Sequence, residues 1–248
     1  STVNGLIKFS GIDAAKFLQG QLSCDISTLD STNSLPGAYC SPQGRVRATF
    51  ILFQINSDEI LMILPKEQLS FLLEAMAPYV AFFQCKMIDC SSQWHFFGLQ
   101  TTEFEQDHLL KNIPDLANTV WQISASNSLY CIRLPGETLR WLCLSNQPAT
   151  HYISEIADMG AENWQKHDLI SLFPWINPSN RDMFLPHDLS LHTMGAISFT
   201  KGCYTGQEIV ARMQYRGEPK YQLAVLKTEP TTDTIPEKLV QIVDNSEP

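Results

Sequence analysis

The segment Lys201-Gly202-Cys203-Tyr204-Thr205-Gly206-Gln207-Glu208 sets one thiol between two glycines, two residues from a lysine and at the start of a predicted helix. Glycines this close together disfavour a strand or helix interior, so the segment reads as a tight turn whose backbone approaches a ligand closely. Thr205, followed three residues later by Glu208 and then by Ile209-Val210-Ala211, fits a capping box, which directs the positive end of a helix dipole at Cys203. That field and the Lys201 ammonium both favour thiolate, the form in which cysteine acts as a nucleophile or metal ligand. The basic neighbours Lys201, Arg212 and Arg216 suit an anionic or electron-rich ligand. The competing reading is a packed thiol, because free cysteine is commonly a small buried hydrophobe.

The octapeptide resembles the K-G-C-[FYW]-x-G-Q-E signature of the YgfZ family, relatives of the glycine-cleavage T protein. The likeness continues through Ile197-Ser198-Phe199 before it and from Val210-Ala211-Arg212 to Arg216-Gly217 after it. Near the other end, Ser10-Gly11-Ile12-Asp13 and Phe17-Leu18-Gln19-Gly20-Gln21-Leu22 through Asp25 look like the family's opening helix.

The resemblance implies a cytoplasmic protein that binds tetrahydrofolate or a derivative. It would support the synthesis or repair of iron-sulfur enzymes, including those that modify tRNA, and its protein partners would be those enzymes or assembly proteins. Cys203 would be the working residue with Lys201 beside it, and Gly202, Tyr204, Gly206, Gln207, Glu208 and Arg212 complete the signature. Trp164, ten residues before Pro174, matches a tryptophan implicated in folate binding in the family. Asp188, in Pro186-His187-Asp188-Leu189, falls where the family carries an acidic residue, and a carboxylate there would hold pterin N–H groups by charge-assisted hydrogen bonds.

The chain departs from the pattern at Asn4, where the opening strand can carry tryptophan, and at Leu172, where a glycine can precede Phe-Pro. The T protein's signature lacks the cysteine and its catalytic aspartate has no counterpart placed here, so glycine cleavage itself is not the expected activity. Two other readings stand beside the leading one. One is a tetrahydrofolate-dependent one-carbon (aminomethyl) transferase with Cys203 as nucleophile; the other is a non-catalytic scaffold in which the signature only builds a turn.

The elements expected to carry these residues follow from periodicity. Leu6 to Phe9 predicts a strand, and Asp13 caps a helix with Ala14, Phe17, Leu18 and Leu22 on one face. Tyr39-Cys40, Arg45 to Ile55 and Ile60 to Leu64 read as a strand meander turning at Pro42-Gln43-Gly44 and at Asn56 to Glu59. Pro65 opens a helix over Lys66 to Met76. Strands are expected at Phe82 to Cys90, Trp94 to Gln100, Val120 to Ser124, Leu129 to Leu134 and Leu139 to Leu144, with a short helix near Gln106 to Asn112.

Two further helices, His151 to Met159 closing at Gly160 and Asn163 to Phe173, precede the signature. On the second, Leu169, Ile170, Leu172 and Phe173 form the apolar arc and Trp164 falls opposite, free to stack on a flat ligand or to be covered by another domain. Pro174 to Pro186 reads as a long loop, and Pro186-His187-Asp188-Leu189 leads from it towards the signature, where Asp188 could also be an ordinary exposed acid. Beyond Gly217, strands are expected at Tyr221 to Leu226 and Lys238 to Val243, too little for the β-barrel the family carries there.

The resulting class is α+β: antiparallel or mixed sheets with packed helices, a T-protein-like folate-binding fold with a shortened or incomplete C-terminal barrel. The expected organisation is a folate-binding region over 1–217, divisible near 1–90 and 91–217, followed by a C-terminal β remnant over 218–248.

With 248 residues, 44% of them hydrophobic, the chain can bury a substantial core. A formal charge of -9 disfavours tight non-specific binding to nucleic acid. No apolar run reaches the length of a bilayer span and no signal peptide is evident. Seven cysteines, an odd number without C-x-x-C spacing, argue against a disulfide framework or zinc ribbon and for a reducing compartment; no resident metal is expected.

Overall fold

The computed structural model describes residues 4–101, 115–126, 128–152, 160–217, 219 and 221–224. Its first sheet has strand order β2-β3-β4-β1-β5, built from β1 (Asn4–Ser10), β2 (Ser34–Cys40), β3 (Val46–Asn56), β4 (Glu59–Pro65) and β5 (Lys86–Asp89). The second has order β6-β9-β8-β7, from β6 (His95–Thr101), β7 (Ile123–Ser126), β8 (Leu129–Arg133) and β9 (Leu139–Ser145). Every strand pair is antiparallel. The helices described are α1 (Ala14–Gln21), α2 (Leu69–Val80), α3 (Gly160–Ile170) and α4 (Gln207–Arg216).

Strand parity explains the layers. Phe50-Ile51-Leu52-Phe53 in β3 are all fully buried, a continuous apolar run unusual for an antiparallel strand with one wet face. Phe50 and Leu52 point to the cluster that holds Phe17 and Leu18 of α1 and Leu72 and Met76 of α2. Ile51 and Phe53 point the other way, onto Ile132, Leu142 and Leu144 of the second sheet. The first sheet is thus covered on both faces, by helices on one side and by the second sheet on the other. This α+β arrangement matches the expected class.

Several boundaries differ from expectation for identifiable reasons. The Asp13 carboxylate does not cap α1; its Oδ2 accepts the Gln84 N–H at 2.9 Å and ties the helix start to the segment before β5. Pro65 ends β4 rather than opening a helix, Lys66–Gln68 form a 3₁₀ turn, and α2 runs through Pro78 to Val80. The strand expected over Phe82 to Cys90 is confined to Lys86–Asp89, although Cys85 and Cys90 do fall in clusters on opposite faces of the sheet.

Gly160 lies inside α3, so it closes no helix, and α3 ends at Ile170. Leu172, with φ 55°, is the left-handed residue after it; its N–H bonds to Leu169 O and the Phe173 N–H to Asp168 O, the Schellman pattern in which glycine is usual. Of the other expected elements, Gln106 to Asn112, Lys238 to Val243 and most of His151 to Met159 lie outside the described residues. Tyr221 to Ala224 form no strand. No described helix is long and apolar enough to cross a membrane.

From Ser171 to Gly206 the chain has no helix or strand, yet it is fastened to the first sheet along its length. Thr49 Oγ1 donates to Pro174 O at 2.6 Å and accepts the Ile176 N–H at 3.0 Å, while buried Gln68 donates to Ile176 O at 3.1 Å. Farther along, Val46 N–H bonds to Phe184 O at 2.8 Å and Ser198 N–H to Ser23 O at 2.8 Å. This strap carries Asp188 and the signature loop over the β2-β3 side of the sheet.

Candidate functional site

The signature loop is held from below and from one side. Lys201, only 8% exposed, extends inward, and its Nζ donates to Leu22 O and Cys24 O, both at 2.7 Å. The ammonium therefore clamps the loop to the connection after α1 instead of lying against Cys203, correcting the expectation that it favours the Cys203 thiolate. Burial lowers the Lys201 pKa from the ordinary 10.5 to about 8, with Cys24 and Asp25 acting in the opposite direction. Tyr204 is buried beneath the loop with its ring 5.1 Å from Lys201 Nζ; burial raises its hydroxyl pKa, and that hydroxyl has no hydrogen-bond partner among the described residues.

The expected capping box does not form. Helix α4 begins at Gln207 with Gly206 at the N-cap position, φ 83°, and no side chain caps it. Glu208 instead pairs with Arg212 on the exposed face at 3.0 Å. The reason lies in packing: Gly206 sits against the turn between β2 and β3, where a Cβ would collide with Ser41 O and approach Gly44 Cα to 3.0 Å. Gly44, φ 74°, has no room for a Cβ either, because Ile209 of α4 faces it at 2.9 Å. Two left-handed glycines let the two turns meet. That turn was legible in Pro42-Gln43-Gly44, but its pairing with Gly206 was not, since nothing local encodes a contact so distant in sequence.

The two signature glycines are thus different. Gly202 is exposed, a Cβ added to it would meet nothing within 4 Å among the described residues, and it lies next to Cys203, the one exposed thiol of the seven. Of the remaining six, Cys85 is half-buried and Cys24, Cys40, Cys90, Cys131 and Cys143 are buried. The structure therefore presents Cys203 at the surface beside an open glycine, on a loop held by Lys201 and Gly206. Gln207 adds a long contact from Nε2 to Lys201 O at 3.5 Å.

Asp188 is buried at 7% exposure; its Oδ2 accepts the Leu185 N–H at 2.8 Å, so it is not an exposed loop acid. Its other oxygen has no hydrogen bond among the described residues. Trp164 fits a stacking role less well. Its ring lies on Gly98 of β6, where a Cβ would strike it, and the Arg140 guanidinium sits 5.0 Å from its centroid.

The expected facing of this helix is inverted: Leu169 is 70% exposed and Ile170 44%, while Trp164, Asp168 and Ser171 form the stripe that meets the sheet. All three contact Arg140, a buried charge on β9 that replaces the apolar partner the periodicity assumed. No hydrogen bond or ring contact among the described residues joins Trp164 to Asp188 or Cys203, so the expected folate residues are not brought into one contact network.

The pH response of the clamp is testable. Because the folded value of about 8 lies below the ordinary 10.5, the unfolded chain holds more protons between them, and this group's contribution to stability rises as pH climbs through that window. Below about pH 8 the buried ammonium weighs against folding in full. A neutral amine still has hydrogens for both carbonyls, so the tie survives deprotonation. Between pH 7 and 10.5 the buried thiols, whose pKa values burial raises, pull stability down in both proteins, so the expected result is a difference: in urea unfolding the wild type minus Lys201→Met stability should rise with pH, by at most about 1.4 kcal/mol per pH unit. Equal slopes in the two proteins would contradict the assignment.

The chain's architecture is that of the T-protein fold: it superposes on the glycine cleavage system aminomethyltransferase T from Bartonella henselae with TM-score 0.62 at 14% identity, over 88% of this chain and 62% of the other. At sequence level it is 30% identical over 231 residues to the tRNA-modifying protein YgfZ of Colwellia psychrerythraea, covering 91% of this chain and 69% of that protein. It is 31% identical over 223 residues to the tRNA-modifying protein YgfZ of Vibrio atlanticus, covering 89% and 66% respectively. The chain belongs to the YgfZ family. It spans about two thirds of the length of these relatives. No protein-family model matches it.

Proposed function

We propose that this chain is a folate-binding protein that supports the synthesis or repair of iron-sulfur enzymes, tRNA-modifying ones among them, with Cys203 as its working thiol. The observation that carries the reading is the presentation of Cys203: it alone of seven cysteines is exposed, on a loop clamped by Lys201 and seated by Gly206. The name borne by the relatives, tRNA-modifying protein, supports the tRNA side of the proposal.

Tetrahydrofolate or a derivative would be held by the unengaged Asp188 oxygen, with Trp164 contributing only where Gly98 does not cover it. The folate would supply a one-carbon carrier. The protein's own part is to orient it and to keep Cys203 accessible to a partner. Lys201 in this proposal positions the loop and is not a catalytic residue.

Two measurements test the halves separately. In cells lacking the native protein, Cys203→Ala should abolish rescue of iron-sulfur enzyme activity while leaving the unfolding midpoint nearly unchanged, because an exposed loop thiol contributes little packing. Full rescue by this variant would remove the working-thiol claim and favour a scaffold. Calorimetry with a reduced folate should show binding, and a fluorescence titration should show quenched tryptophan emission; no calorimetric binding at millimolar concentration removes the folate claim. Turnover of a folate one-carbon donor by the purified protein would move the assignment to an aminomethyl-type transferase, a reading favoured only by the shared fold.

A further inference from the structure

Cys131 on β8 and Cys143 on β9 are direct cross-strand partners, and both are fully buried. Their pairing type follows from the ladder. The Leu134 N–H bonds to Arg140 O at 2.9 Å, which marks that opposite pair as hydrogen-bonded. Types alternate along an antiparallel ladder, so Arg133 with Trp141 is non-hydrogen-bonded, Ile132 with Leu142 hydrogen-bonded, and Cys131 with Cys143 non-hydrogen-bonded. The Arg133 N–H is accordingly directed to the other neighbour, at Gln122 O. In a non-hydrogen-bonded pair the Cα atoms stand about 4.5 Å apart with side chains on one face and at their closest. That spacing lies within the range of Cα separations a disulfide spans without backbone movement. The side chains are already in contact, the Cys143 thiol donating to Cys131 Sγ at 2.9 Å.

We propose that Cys131 and Cys143 form a redox site, a dithiol that closes to a cross-strand disulfide when a small hydroperoxide oxidises it, covalently stapling β8 to β9. One sulfur takes an oxygen from the peroxide as its O–O bond breaks, giving a sulfenic acid and one water. The second sulfur then attacks the first, the S–O bond breaks, and the hydroxyl leaves as a second water with the remaining thiol proton. Two thiols lose two electrons and two protons, and hydrogen peroxide is reduced to two waters. Both sulfurs lie between Leu129, Trp141 and Tyr152 on the face of the second sheet turned away from the first. Enclosure there selects a small oxidant over a protein thiol or glutathione disulfide. Burial and the neighbouring Cys131 raise the Cys143 pKa well above its ordinary value, so closure is slow beside any reaction of exposed Cys203.

The test is peroxide treatment of folded Cys203→Ser protein, which removes the exposed thiol, followed by alkylation in denaturant and peptide mapping. Trypsin cuts at Arg133 and Arg140 between the two cysteines, so a disulfide joins two peptides that are otherwise separate. The expected product is that joined species, two hydrogens lighter, reversed by dithiothreitol, with a raised melting temperature. Cys143→Ala should prevent the crosslink, and the mapping of the intact pair stands whether or not that variant folds. Alkylation of Cys131 and Cys143 as free thiols after other positions have oxidised would overturn the proposal. So would a crosslink that forms only when the protein is unfolded before peroxide is added.

Discussion

Truncating Arg140 to alanine is expected to destabilise the protein by roughly 3–5 kcal/mol, the range for removing one partner of a buried ion pair. Arg140 is 1% exposed, and its guanidinium reaches Asp168 Oδ1 at 2.9 Å, Ser171 Oγ at 3.0 Å and His167 O at 3.3 Å while lying over the Trp164 ring. These partners all belong to α3 or its end, so one strand side chain docks the helix. Burial raises the Asp168 pKa even with Arg140 and the Trp175 indole N–H working against it. Without Arg140 that carboxylate would lose its ion-pair partner while staying largely buried. Replacing both residues by apolar side chains, Arg140→Met with Asp168→Leu, should restore much of the loss, because the cost lies in the orphaned charge more than in the pair. Arg212→Ala, which breaks an ion pair whose side chains are 64% and 83% exposed, should leave urea midpoints unchanged. A loss below about 1 kcal/mol for Arg140→Ala would show that α3 is not docked this way.

How far the sequence could be read depends on whether the deciding contact was local. The meander of β2, β3 and β4 was legible because turn residues bound runs of strand formers, and α1 because Phe17 and Leu18 recur on one face. The facing of α3 was not, since its sheet-side stripe of Trp164, Asp168 and Ser171 is mostly polar and makes sense only with Arg140 in view. Periodicity assigns a helix face by hydrophobicity and takes no account of a buried arginine on a neighbouring strand. The Leu172 departure became intelligible only as a backbone conformation, a left-handed position after the helix held by leucine in place of the usual glycine. Within the signature the motif located an exposed thiol correctly, but it misassigned the lysine. A basic residue two positions from a cysteine reads as a partner, and the carbonyls of Leu22 and Cys24 that bind it lie far away in sequence.

The two signature glycines should separate fold from surface more sharply than any other pair of substitutions. At Gly206, alanine must adopt φ near 83°, a region costing an L-residue roughly 1–2 kcal/mol, and must place its methyl against Ser41 O and Gly44 Cα. Those atoms are backbone in a turn that Gly44 and Ile209 already close, so the collision is relieved only by moving α4 away from the β2-β3 turn. Overpacking of that kind adds about 1–3 kcal/mol, for a total on the order of 2–5 kcal/mol. At Gly202, with negative-φ backbone and no atom of the described residues within 4 Å of the new methyl, alanine should change the urea midpoint hardly at all. The test is equilibrium unfolding of both variants, with iodoacetamide labelling of Cys203 as a second reading. Gly206→Ala should unfold at lower urea because the signature loop loses its seat, whereas Gly202→Ala should unfold with the wild type. Equal stability for the two variants would mean that the approach of the β2-β3 turn to α4 does not hold the loop, and that Cys203 owes its exposure to something other than this seat.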